Sequence, residues 1–295
     1  MSEYQYYEFQ AVDSLLTDKD RQALRALSSR ARITTTSFIN EYHFGDFKGN
    51  PLKLMEKYFD AFLYLSNWGT FQFMLRLPKQ CLDVELAKRY FPGRLTRLHE
   101  KNDYLILDYF IESEDCEDFF EESDNHLALL IPLRDNIIRG DYRSLYLAWL
   151  LTIQNETVSP SALEPPVPPN LSKLSPPLSH LIQFFKIDPY LVEVAAENSL
   201  PMDPLDTNSM DLTAWIATLP ESEKSELLLC LIQDNTPHLR ATLLQRCQQY
   251  LKKDHSRQIQ QKPRTVIEIR ELAEKKHAEA TQKISATKKL SKSSR

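Results

Sequence analysis

The sequence predicts an α+β protein: a mixed N-terminal α/β domain, then a mainly α-helical C-terminal region with an extended helical tail. Three observations predict it. Strand-like and helix-like periodicities alternate through residues 1–125. From about residue 178 the pattern is helical, punctuated by Pro189, Pro201, Pro204, Pro220 and Pro237. Between the two lie Glu164-Pro165-Pro166-Val167-Pro168-Pro169 and Pro176-Pro177, a composition that favours polyproline II. The expected organisation is an α+β domain over 1–156, a proline-rich linker over 157–177, a helical domain over 178–253, and a basic, partly disordered helical tail over 254–295.

Tyr4–Val12 is aromatic-rich and strand-like. Thr17 is placed to cap a helix over Asp18–Ser28. Ile33–Phe44, rich in Thr, Ile, Phe and Tyr, has a strand composition. Asn50 and Pro51 read as an N-cap and first helical residue. The helix predicted after them, Leu52–Leu65, carries Leu54, Met55, Tyr58, Phe59, Phe62 and Leu65 at helical spacing. Asn67-Trp68-Gly69 ends it, and Phe71–Leu77 alternates as a strand. A short helix is expected over Val84–Tyr90, then a β-hairpin of Arg94–His99 and Tyr104–Ile111. His126–Arg139 and Tyr142–Gln154 read as helices, the first broken or begun at Pro132. Helices follow near 178–186, 189–198, 211–219, 222–234 and 237–253. Over 263–290 the stripe Val266, Ile269, Leu272, Ala273, Ala280 and Ile284 is coiled-coil-like, but thinner than three to four clean heptads.

Charge is sorted by position. Residues 252–295 hold 13 Lys and Arg against 5 Asp and Glu; of the chain's 36 and 41, that leaves 23 and 36 for residues 1–251. An acidic body carries a basic tail, and the bare positive field belongs to Lys283, Lys288, Lys289, Lys292 and Arg295. Asp108–Asp124 holds nine acidic residues and no basic one, among them Glu114, Asp115, Glu117 and Asp118. Those four and the five tail cations are the expected interaction residues, because opposite fields steer contacts. A nucleic-acid reading of the tail is weakened by the acidic body and by the lack of interleaved aromatics.

The 17 prolines outnumber the 5 glycines, and neither phosphate-cradling glycine loop occurs, so no cofactor is implied. Four dispersed cysteines without a CxxC suit a cytoplasmic protein, and the longest apolar stretch, Leu145–Ile153, is too short for a membrane span. Ser37–Asn50 is the densest polar-aromatic segment. Within it Glu41 and His43 share a strand face, with Asp46 and Lys48 close after. This is the one weak catalytic candidate, of metal-dependent hydrolase or nuclease type. A resident metal would need further ligands that the sequence does not show, so none is assigned. Tyr4, Tyr6, Tyr7, Phe44, Phe47 and Trp68 are candidates for an aromatic surface, with core packing as the competing fate.

The strings YQYYEFQAVD (4–13), SSRARITTTSFINEYHFGDFKGNP (28–51), YFDAFLYLSNWGT (58–70) and LEPPVPP (163–169) resemble an uncharacterised family of bacterial hypothetical proteins over about the first 220 residues. The resemblance implies a bacterial cytoplasmic protein and no catalytic residue. The expectation is a non-enzymatic scaffold or adaptor that binds a protein partner, with homo-oligomerisation as one form. Its competitors are the enzyme at 41–48 and nucleic-acid binding through the tail.

Overall fold

The computed structural model describes residues 3–112, 125–156, 158–201, 212–233, 243, 246, 247, 250 and 263–293. An α+β architecture is built on a seven-stranded antiparallel sheet of order β2-β3-β1-β4-β5-β7-β6. Its strands are β1 (Gln5–Gln10), β2 (Arg32–Ile33), β3 (Ser37–Tyr42), β4 (Ala61–Ser66), β5 (Thr70–Pro78), β6 (Thr96–Lys101) and β7 (Tyr104–Glu112). Side chains alternate across the sheet. Phe9, Phe38, Phe62, Met74 and Ile106 face one side, where α1 (Asp18–Leu27) and α2 (Pro51–Lys57) supply Leu24, Leu54 and Met55. Leu63, Leu65, Phe73, Leu75, Leu107 and Tyr109 face the other, in one cluster with residues of seven further helices. These are α3 (Val84–Tyr90), α4 (His126–Leu130), α5 (Pro132–Ile138), α6 (Arg143–Asn155), α7 (Pro176–Phe184), α8 (Pro189–Glu197) and, numbered last in the chain, α11 (Val266–Ser293). No helix among the described residues is long and apolar enough to cross a membrane.

Local signals account for many of the element ends. Thr17 accepts from the Asp20 amide while the Asp20 carboxylate accepts from Thr17, a capping box. Asn50 caps α2 with Pro51 at its first position, and Asp83 caps α3. Pro132 does not continue a helix; it opens α5, so His126–Arg139 is two helices. The hairpin β6–β7 turns on Asn102-Asp103, two residues later than its first strand was expected to end, with Asn102 at φ 48°.

Two further expected elements divide. Leu52–Leu65 is not one helix: α2 stops at Lys57 and β4 starts at Ala61. Phe62 and Leu65 lie on opposite faces of β4, each fully or almost fully buried. A strand buried on both faces reads as a continuous apolar run, which mimics helical spacing. Between the two elements, buried Asp60 accepts from the amides of Val12 (2.7 Å) and Asp13 (3.0 Å) and from Arg76 Nε (3.1 Å) and Nη2 (2.8 Å). Ile33–Phe44 divides at a turn in which the Thr34 hydroxyl accepts from the amides of Thr36 and Ser37.

The proline-rich segment is a packed strap rather than a free spacer. Tyr90 Oη donates to Pro166 O (2.7 Å), Ser199 Oγ donates to Pro168 O (2.7 Å), and Leu171 is buried. Nor is the tail wholly solvated. Thr265 and Glu268 form a capping box at the start of α11, and Val266, Ile269 and Ala273 are buried in the main core. The buried Glu164 carboxylate accepts two bonds from Arg264, at 2.9 and 2.6 Å, and one from Tyr146 Oη. Arg270 donates to the carbonyls of Ile153 and Glu156, and Lys276 pairs with Glu197 at 2.7 Å. Outside this core, α9 (Leu212–Thr218) packs Trp215 with Cys247, and α10 (Glu221–Gln233) follows it.

Candidate functional site

Three neighbouring strands, β3, β1 and β4, end at the same edge of the sheet. The register sets Gln5 beside Tyr42 on one side and Ser66 on the other. The loops leaving this end are fixed by backbone geometry. Gly69, at φ 87°, closes the β4–β5 turn by donating its amide to Ser66 O (3.0 Å), which leaves Asn67 and Trp68 at the tip. Asn67 is tied to β1, its amide donating to Tyr4 O and its Oδ1 accepting from the Tyr4 amide, both at 3.0 Å. Gly45, at φ 80°, reverses the chain after β3, and its carbonyl accepts from Gln5 Nε2 (3.2 Å). That reversal gives two phenylalanines opposite fates. Phe47 swings back among Tyr7, Phe9 and Phe38, with ring centroids 4.9, 6.2 and 5.8 Å away. Phe44 points out and is 80% exposed.

The result is an aromatic rim across three strand ends. The His43 ring lies tilted against Tyr4 with centroids 5.3 Å apart, Phe44 follows it in the chain, and Trp68 is 49% exposed. Two strand spacings, about 10 Å, separate the ends of β3 and β4. Exposed carboxylates flank the rim: Glu3 just before β1, Asp46 in the β3 loop, and Glu112 at the end of β7, opposite Thr70. Lys48 is the one cation in the described 43–50 loop. Large, rigid aromatics exposed on well-fixed turns are what protein contacts use, because they bury area at little entropic cost.

Among the described residues, no hydrogen bond or ion pair joins the enzyme candidates to one another. Glu41, His43, Asp46 and Lys48 are all exposed. Glu41 reaches Arg32 at 4.0 Å, and His43 spends its ring on Tyr4. Among the described residues no group of three or more His, Cys, Asp and Glu is placed to hold a metal ion. Of the six aromatic candidates, Tyr6 and Tyr7 are buried, and burial raises both hydroxyls above the ordinary tyrosine range. Tyr4 and Phe47 are partly buried, so Phe44 and Trp68 carry the exposed surface. Glu114, Asp115, Glu117, Asp118 and Arg295 lie outside the described residues. Lys283 is exposed on α11, and Lys288, Lys289 and Lys292 belong to the same helix.

A second polar grouping went unread in the sequence. Gln72 Nε2 donates to Asp108 Oδ1 (2.8 Å), His99 Nε2 lies 3.3 Å from Asp108 Oδ2, and the Arg97 guanidinium covers the Phe110 ring. Its partners come from three strands, so only the register brings them together. No hydroxyl or thiol among the described residues is hydrogen-bonded to His99, and the arrangement satisfies a buried carboxylate. An open groove of about 530 Å³ lies between α6, α8 and α11, lined by Ile153, Gln154, Asp188, Arg270 and His277 among others. Several of its polar groups are already used: Gln154 bonds Lys186 O and the Asp188 amide, Asp188 caps α8, and Arg270 holds two carbonyls.

No protein-family model, no curated protein and no solved structure matches the chain. The rim is therefore read from its own chemistry.

Proposed function

We propose that this chain is a non-enzymatic interaction protein, a scaffold or adaptor, and that the aromatic end of the sheet is its contact surface. One observation carries the reading. Phe44 and Trp68 are held outward on turns closed by Gly45 and Gly69, although the neighbouring Phe47 shows that the same loop can bury a ring. Leaving a ring such as Phe44 in water forgoes up to about 1.5–3 kcal/mol, and half-exposed Trp68 adds to it, a loss that a partner surface recovers. The dispersed cysteines and the resemblance to bacterial proteins support a bacterial cytoplasmic setting.

The test is capture by tagged protein from a bacterial lysate, compared between the wild type and a Phe44→Ala/Trp68→Ala variant. A specific partner recovered by the first and lost by the second is expected. Capture that is identical for the two would remove the rim from the account. Hydrolysis or nuclease activity abolished by Glu41→Gln or His43→Ala would revive the competing enzyme reading.

A further inference from the structure

The acidic-aromatic rim selects the chemistry of its occupant. Exposed Glu3 precedes β1, exposed Asp46 follows Phe44 by two residues, and exposed Glu112 pairs with Thr70, two residues after Trp68; by sequence, residues 1–251 hold 36 Asp and Glu against 23 Lys and Arg. A partner segment for such a surface carries ammonium groups on long aliphatic stems. The stems cover apolar rings, and the cations lie over ring faces or beside carboxylates. This chain owns such a segment. Residues 283–295 hold Lys283, Lys288, Lys289, Lys292 and Arg295 and no acidic residue.

On the reading that the rim is a contact surface, we propose that its occupant is the basic C-terminal end of α11 from a second copy of this chain. The fold makes the donor and acceptor separate parts. The base of α11 is fixed by the Arg264–Glu164 pair and by burial of Val266, Ile269 and Ala273. Lys276 on Glu197 and His277 against Tyr190 are further contacts with α8. The helix then runs on to Ser293. From His277 that is about 24 Å at the α-helical rise. Sharp helix bends occur chiefly at Pro, Gly/Ser pairs or π-bulges, and the 28-residue helix contains neither Pro nor Gly. The helix is continuous from its fastened base to Ser293, and Phe44 and Trp68 stay exposed in the same chain. Two basic ends repel each other, so the contact is end-to-rim rather than end-to-end. It forms a reciprocal dimer or a head-to-tail chain. Its electrostatic part acts between exposed groups and weakens with salt.

Sedimentation of the full chain and of two single-sided variants tests this. One variant is Phe44→Ala/Trp68→Ala, and the other carries Lys283→Gln, Lys288→Gln, Lys289→Gln and Lys292→Gln. Of the six residues changed, Phe44, Trp68 and Lys283 are exposed and the other three belong to the same helix, and matched thermal unfolding checks that both variants fold. The wild type is expected to self-associate at about 50 µM in low salt and to dissociate when salt is raised roughly tenfold. Each variant alone loses at least tenfold in self-association. Mixing the two restores a mixed complex, because one intact rim meets one intact end. A wild type that stays monomeric, or an assembly that persists in either variant, overturns the proposal. A monomeric wild type whose captured lysate partner is still lost on Phe44→Ala/Trp68→Ala overturns only the second-copy occupant and leaves the contact surface standing.

Discussion

Arg264 shows what one residue decides. Its guanidinium donates twice to a buried carboxylate and once to Val194 O (3.0 Å), and its own carbonyl accepts from the Glu164 amide (2.8 Å). It welds the strap to the first turn of a helix a hundred positions later. Removing one partner of such a pair strands the other charge, which costs about 3–5 kcal/mol, whereas apolar replacement of both is nearly neutral. Arg264→Ala should therefore lower stability by about 3–5 kcal/mol in denaturant unfolding, and Glu164→Leu/Arg264→Met should recover most of it. A loss below about 1 kcal/mol would mean that the helix base is not fastened there. In sequence Arg264 is one of many tail cations; nothing local tells a clamped arginine from a solvated one. The same holds for Gly45 and Phe47, where a reversal of the chain sorts one ring inward and leaves Phe44 out.

At the scale of elements, local chemistry was legible and tertiary choice was not. Thr17, Asn50, Asp83 and the Asn102-Asp103 turn set boundaries through bonds within a few residues of themselves. The α2–β4 boundary instead depends on Asp60 meeting Arg76 and on two faces of β4 finding separate cores, which periodicity does not encode. The contact of α4 with α7 has its own consequence. His126 Nδ1 and His180 Nε2 lie 3.1 Å apart in stacked rings, a bond that two imidazolium ions cannot make. Burial holds the His180 imidazole below its ordinary value. The neutral form is the folded one, so its stabilisation is complete above the unfolded value of about 6.5 and is lost as pH falls from there towards the lower folded value. The unfolding midpoint should decline as pH falls below about 6.5, and His180→Phe should flatten that decline. A pH dependence unchanged by the substitution would assign the acid sensitivity to other groups.

For the whole molecule, the opposed charges of body and tail take on a geometry. The tail is not a loose polycation: Val266, Ile269 and Ala273 belong to the core, Lys276 and His277 contact α8, and the helix continues to Ser293. The acidic body presents, at one end of its sheet, two rings that the fold holds out of the core. The aromatic candidates were visible in sequence as a set of six. Which two reach solvent depended on strand ends meeting across β3, β1 and β4, which only the assembled sheet supplies. The 41–48 carboxylates and imidazole were equally visible, and they are all exposed with no bond among them.

Hydroxyl-radical footprinting of the full chain, concentrated in low salt and again diluted in high salt, tests the contact surface most directly. The account predicts that Phe44 and Trp68 react freely in the dilute sample and are protected in the concentrated one, while buried Trp149 stays unreactive in both. Equal reactivity of Phe44 and Trp68 in the two samples, with assembly shown by sedimentation in the first, would contradict it.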